Sequence, residues 1–334
     1  MSPVICLLEG DGIGREVIPA ARRVLEVLCP DLSFVQAEAG WETFQREGTA
    51  LPERTVDAVA HADATLFGAV SSPLGPAEGY RSPIVDLRRR FDLYANLRPV
   101  ASQPVADSRT GIDMLIVREN SEGLYSGIER RDAERAVTER VITRSGSERI
   151  VRRAMDLAME RRQHVTVVHK ANVLRATCGL FREAALAVAQ EYPRVRVDEL
   201  LVDAAAMRLI TAPESFDVLV TTNLFGDILS DEAVALVGGL GLAPSGNIGE
   251  SVAVFEPVHG SAPDIAGKGI ANPVAAFGAA AMLLAHIGRP HDASVLRTAM
   301  ARVLESGART PDLGGDATTD EVTEATLGAM EELI

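Results

Sequence analysis

Cysteine, positive charge and long apolar runs are what this 334-residue sequence has least of. Its three cysteines, Cys6, Cys29 and Cys178, are an odd number without CxxC spacing. They exclude a disulfide framework and a cysteine zinc site and fit a reducing compartment. No stretch approaches the roughly eighteen uncharged apolar residues of a membrane span. The apolar run at the N-terminus meets Glu9 and Asp11 early and has no basic region before it, unlike a signal peptide. Cytoplasm is the expected compartment. Lys and Arg number 33 against 47 Asp and Glu, a net charge of −14. Phosphate recognition needs a basic footprint, so no nucleic-acid or anionic-membrane partner is expected. A small anionic substrate answers to the local field of a cleft and stays open. No repeat, low-complexity tract, P-loop, GxSxG or HExxH occurs.

What is present is ordinary globular material, 47% hydrophobic and 24% charged, long enough for two domains or one large one. Short apolar runs at 4–8, 64–67, 112–117, 165–168 and 218–221 predict buried strands. Periodic segments at 16–28, 147–161, 175–191, 224–237, 271–287, 293–305 and 321–333 predict helices. Such alternation implies an α/β fold with a largely parallel sheet. Proline and glycine gather at 99–111 and 238–249, the best boundaries. The expected domains are 1–99 plus 250–334, and 100–249.

Gly10, Gly12 and Gly14 follow the first strand with G-x-G-x-G spacing, whereas the Rossmann loop needs G-x-G-x-x-G. A Rossmann site is rejected, and a tight turn needing positive φ is the plain alternative. A second loop runs Glu256-Pro257-Val258-His259-Gly260-Ser261-Ala262-Pro263-Asp264-Ile265-Ala266-Gly267. Its small residues admit a ligand to the backbone, and an acidic residue there suits both ribose hydroxyls of NAD; a structural loop is the alternative. Asp227 and Asp231 share a helix face among apolar neighbours, and Asp203 sits alone in an apolar run. Three oxygen donors without Cys or His suit Mg²⁺ or Mn²⁺ rather than zinc; a solvated face is the alternative. Arginine concentrates at 88–98, and Arg118 ends the apolar run 112–117; such arginines can bind carboxylates, with surface solubility the alternative, and Arg118 reads as functional while Arg89 and Arg90 read as surface. Lys170 ends an apolar strand, either as a snorkelling residue or as a buried base.

Together the segments at 9–14, 92–99, 118–125, 169–174, 221–231, 238–248 and 256–273 resemble the β-decarboxylating dehydrogenases of isocitrate, homoisocitrate and isopropylmalate. The resemblance implies a non-Rossmann, two-domain α/β fold of isopropylmalate-dehydrogenase type. It also implies an active site in the interdomain cleft and a homodimer or higher homo-oligomer with shared sites. It places Asp203, Asp227 and Asp231 on Mg²⁺ or Mn²⁺, with Asp203 and Lys170 from the partner subunit. Arg88, Arg98 and Arg118 would hold the malate carboxylates of a small polycarboxylate substrate. Lys170 would be the base and Tyr125 the proton donor. Ser72, Val85 and Asn172 would lie near the substrate. Val70, Ser71, Ser72, Asn172, Glu256, His259, Gly260, Ser261, Ala262, Pro263, Asp264, Ile265 and Asn272 would contact the cofactor, with Asp264 and Ile265 favouring NAD. The run from Arg118 to Tyr125 resembles the homoisocitrate and isocitrate branch. Val85 stands where the homoisocitrate pattern has arginine, and resembles the isopropylmalate branch. The expectation is NAD-dependent conversion of homoisocitrate to 2-oxoadipate, with isocitrate also accepted. 3-Isopropylmalate dehydrogenase is the near alternative, and a catalytically silent metal- and anion-binding regulator the distant one.

Overall fold

The computed structural model describes residues 2–334 apart from Leu74 and Pro76. In chain order the elements are β1 (Val4–Gly10), α1 (Gly14–Leu28), β2 (Ser33–Ala37), α2 (Trp41–Glu47), α3 (Glu53–His61), β3 (Ala64–Ala69), α4 (Pro83–Arg90), β4 (Ala95–Ala101) and β5 (Asp113–Glu119). They continue with β6 (Glu129–Arg131), β7 (Ala136–Thr138), α5 (Arg144–Met159), β8 (His164–His169), α6 (Thr177–Ala189), β9 (Arg196–Leu201), α7 (Val202–Thr211), β10 (Val218–Thr221) and α8 (Asn223–Ala235). The chain closes with β11 (Pro244–Ile248), β12 (Ala253–Pro257), α9 (Val274–His286), α10 (Pro290–Ser306) and α11 (Thr319–Glu331). All five expected strands and seven expected helices have counterparts, with ends shifted by a few residues. No helix among the described residues is long and apolar enough to cross a membrane.

Two compact units form. The first holds residues 1–91, 103–108 and 238–334; the second holds 92–102 and 109–237. These limits differ from the expected 99/100 and 249/250, for reasons of pairing. β4 matches β5 along its whole length, from Ala95 opposite Glu119 to Ala101 opposite Asp113, so it joins the second unit. β11 pairs antiparallel with β12 and so joins the first. Val105 packs against the buried cluster of Leu242, Val274, Val303, Leu304 and Val322, which returns residues 103–108 to the first unit.

Within the first unit the strand order is β2-β1-β3-β12-β11, parallel except for the last pair. Within the second it is β4-β5-β10-β8-β9, parallel except for the first pair. β1, β3 and β10 are nearly all apolar, β5 and β8 hold apolar-rich middles between polar ends, and all five lie mostly buried, as interior strands of a largely parallel sheet do. The three cysteines are free and buried, and burial pushes the thiols of Cys6 and Cys29 up to about 12. Neither of these two is a thiolate at neutral pH.

Candidate active site

The second unit builds its charged cluster from two periodicities. Strand register sets Asn96 opposite Arg118, and period-two alternation puts Arg98 on the face of Asn96. α8 meets this face with residues spaced by three and four: Asn223, Gly226, Asp227, Ser230 and Asp231. Gly226 is required there, because a Cβ would lie 2.7 Å from both Cβ and Cγ of Arg118. Arg118 is only 1% exposed. Its Nε donates to Asn223 Oδ1 at 2.9 Å, its Nη1 pairs with Asp227, and the Tyr125 ring centre lies 5.2 Å from its guanidinium carbon. Arg98 donates from Nε to Asn96 Oδ1 at 2.8 Å and from Nη1 to Ser230 Oγ at 2.6 Å. It also reaches Asp231 at 2.9 Å and Asp227 at 3.3 Å.

Tyr125 sits on a short helical turn, Leu124–Ser126, and its hydroxyl donates to Asp227 Oδ2 at 2.5 Å. Burial, then that carboxylate, hold the phenol above its usual range, so it is protonated at neutral pH. Buried Glu119 shapes the chain between Arg118 and Tyr125 by accepting from the Ser121 and Glu122 amides and the Ser121 hydroxyl. The like charges of Asp227 and Asp231 are therefore offset by two guanidiniums. The pair is partly exposed, at 31% and 57% of the side chain. Hard oxygens one helical turn apart and open to solvent suit a divalent cation.

Lys170 and Asp203 form a separate pair, Nζ to Oδ1 at 2.5 Å, between the end of β8 and the first turn of α7. The hydrogen bond from Lys170 holds the Asp203 carboxyl below its ordinary value. Asn172 is exposed two residues beyond. No group of three Asp, Glu, His or Cys able to hold a metal ion gathers among the described residues. Asp203 thus does not join Asp227 and Asp231 within one chain.

In the first unit Arg88, one helical turn after half-buried Val85, donates from Nε to Asn247 Oδ1 at 3.0 Å and from Nη2 to Glu256 Oε1 at 3.2 Å. Asn247 Nδ2 also donates to that Glu256 oxygen, at 2.7 Å. Arg89 and Arg90 are exposed, as expected of surface residues.

The glycine loop serves close packing. A Cβ on Gly10 would meet Ala69 O at 1.9 Å and one on Gly12 would meet Ser261 O at 2.1 Å, with φ of +74° and +54°. Between them, buried Asp11 accepts from the amides of Trp41, Glu42 and Ser71. Ser71 Oγ donates to Ser261 Oγ at 2.8 Å, flanked in sequence by half-buried Val70 and exposed Ser72. In the second loop Ala262 has a positive φ of 39°, and Gly260, Pro263 and Asp264 are exposed beside half-buried Ile265. His259 Nδ1 donates to Gly260 O at 3.0 Å, leaving Nε2 a buried acceptor without a partner among the described residues. Burial lowers the pKa of this imidazole and keeps it neutral. Asn272 is fixed by Asp312, its Nδ2 donating at 3.0 Å. Such a loop, with an orphaned acceptor and an exposed carboxylate, fits a nucleotide's amino and hydroxyl groups.

Sequence reasoning missed Asn96, Asn223, Asn247 and Asp11. The available signal was a small polar residue inside or bordering a buried apolar run.

Layered, mostly parallel α/β units, the second carrying a glycine-backed cluster of arginines and carboxylates, suit an enzyme that acts on a small anionic substrate. The isocitrate/isopropylmalate dehydrogenase family model matches residues 4–326, and the chain belongs to that family. It is 58% identical over 330 residues to a Thermus thermophilus protein named isocitrate/homoisocitrate dehydrogenase, covering 98% of this chain and 99% of that one. It is 51% identical over 330 residues to a Methanothermobacter thermautotrophicus protein named 3-isopropylmalate dehydrogenase, covering 98% of each. The crystal structure of isocitrate dehydrogenase from Methylococcus capsulatus is similar with a TM-score of 0.93 at 44% identity, covering 98% and 99%.

Proposed function

We propose that the protein catalyses NAD-dependent oxidative decarboxylation of a 3-substituted malate, homoisocitrate foremost and isocitrate as well. The observation that carries the reaction class is the pair of buried guanidiniums, Arg98 and Arg118, set against Asp227 and Asp231 on one face of α8, with the Tyr125 hydroxyl bonded to Asp227. Arg88, Arg98 and Arg118 would hold the malate carboxylates. Asp227 and Asp231 would hold Mg²⁺ or Mn²⁺, joined by Asp203 of a second copy. The Ser261 to Ile265 loop, with His259, Glu256 and Asn272, would hold NAD, and Asp264 would accept from the ribose hydroxyls and repel a 2′-phosphate. NAD would supply a hydride acceptor there and the divalent ion a Lewis acid for the substrate's oxygens. Lys170, also from the second copy, would take the hydroxyl proton. Tyr125 would deliver its phenolic proton to C3 after CO₂ leaves.

Sharing between copies is supported by the segments that carry the two halves. Val173 is 65% exposed, Met207 65%, Ile210 50% and Ile228 58%, apolar side chains open to solvent on the segments that carry Lys170, Asp203 and Asp227. The homoisocitrate assignment rests on the Arg118 to Tyr125 run. Val85 favours the second reading, 3-isopropylmalate, because a half-buried valine suits an alkyl tail and not a third carboxylate.

The test is kcat/KM for homoisocitrate, isocitrate and 3-isopropylmalate with NAD or NADP and either metal. The expected order is homoisocitrate first, with NAD over NADP. A strong preference for 3-isopropylmalate overturns the substrate, and no cofactor reduction with any of them overturns the reaction in favour of a silent metal- and anion-binding protein.

A further inference from the structure

Three arginines expected to grip substrate share one feature. The Nε of each donates to the side-chain oxygen of a buried asparagine: Arg98 to Asn96 at 2.8 Å, Arg118 to Asn223 at 2.9 Å and, within the first unit, Arg88 to Asn247 at 3.0 Å. Asn96 and Asn247 are fully buried, and Asn223 is 1% exposed. The amide orientation is fixed by chemistry, because guanidinium Nε–H only donates and so must face Oδ1. A neutral oxygen on Nε locks the plane of the fork without adding to the carboxylates already paired with these arginines, Asp227 with Arg118, Asp227 and Asp231 with Arg98, and Glu256 with Arg88. An aspartate would lock it equally and cancel one unit of charge. A buried asparagine is otherwise costly, which makes its repetition at all three guanidiniums informative.

We infer that Asn96, Asn223 and Asn247 are positioning residues for substrate recognition, each aiming one guanidinium without adding a further negative charge to it. This rests on the proposed reading that these arginines bind the substrate carboxylates. Asn223 has a second contact, Nδ2 donating to Glu122 O at 3.1 Å, so a purely structural role must be separated from action through Arg118.

A double-mutant cycle separates them. KM and kcat for homoisocitrate, with Mg²⁺ and NAD, are measured for the parent, Asn223→Ala, Arg118→Gln and the double variant. 3-Isopropylmalate replaces homoisocitrate if it proves the better substrate, since both carry the malate carboxylates. Asn223→Ala is expected to raise KM about tenfold, the loss of one charge-assisted hydrogen bond, with a smaller change in kcat. In the Arg118→Gln background the same change is expected to add less than about twofold. The same tenfold factor in both backgrounds overturns the proposal and leaves the site reading intact. An unchanged KM in Arg118→Gln, or an inactive parent, overturns the site reading and the proposal with it. Should Asn223→Ala not fold, the cycle on Asn96 and Arg98 decides by the same criteria. Asn223→Asp adds an independent readout: it keeps the acceptor and is expected to raise KM at least as much as Asn223→Ala. A parent-like KM in Asn223→Asp overturns the charge argument.

Discussion

Gly226→Ala sets two opposed effects against each other. In a helix interior alanine exceeds glycine by about 1 kcal/mol, so propensity alone predicts a gain. The site predicts a loss. The new Cβ would lie 2.7 Å from Arg118 Cβ and Cγ and 3.3 Å from its Cα, where carbon contacts settle near about 3.5–4.0 Å. Roughly 1 Å of displacement is therefore needed. Strand β5 cannot supply it, because Arg118 is matched to Asn96 on β4 and to Thr221 on β10. Either α8 withdraws, parting Asp227 from both guanidiniums, or the Arg118 side chain leaves its rotamer and Asn223. Overpacking of this kind costs about 1–3 kcal/mol, leaving a net loss of about 0–2 kcal/mol. Catalysis should suffer more, since a misplacement of about 1 Å costs on the order of 10²-fold. The assay is kcat/KM on the preferred malate beside thermal unfolding. Gly328→Ala is the control: it lies in α11 with nothing within 4 Å of its would-be Cβ, so it should raise stability by about 1 kcal/mol and leave turnover alone. A Gly226→Ala protein that melts above the parent with normal kcat/KM would refute the steric argument.

Asp227→Asn should lower turnover by more than about 10²-fold, because loss of an outer-shell partner alone costs about 10–100-fold. It should also raise the metal concentration for half-maximal rate, and undiminished turnover at low metal would remove Asp227 from the ligand set. Asp264→Lys should shift preference from NAD toward NADP, measured as the ratio of the two kcat/KM values; an unmoved ratio places the ribose elsewhere. Burial holds the imidazoles of His169 and His259 below the usual 6.5. The unfolded chain then binds protons that the folded chain refuses, so stability is complete above pH 6.5 and falls as acid is added. Urea midpoints from pH 7.5 to 5.5 should show this, with a shallower slope in His259→Gln; an equal slope would deny His259 any share.

How far the sequence alone reached is clearest residue by residue. Apolar runs such as 112–117 and 165–168 marked interior strands because both faces of such a strand are buried, and that leaves a continuous signal. Edge strand β9 carries Arg196, Asp198 and Glu199, and edge strand β2 is short, with Ser33 and Gln36 interrupting its apolar residues, so neither stood out. Asp227 and Asp231 were legible because one helical turn fixes their common face without reference to the rest of the chain. Asn96, Asn223 and Asn247 were not, since asparagine in isolation signals turns and caps. Their partners are set by strand register and by the seating of α8, across separations of up to 159 residues. The sequence by itself determined the α/β class, the charge balance and the residue types available for chemistry. Only tertiary structure decided which oxygen faces which guanidinium, because that choice depends on ångström-scale approach between segments whose local patterns carry no record of each other.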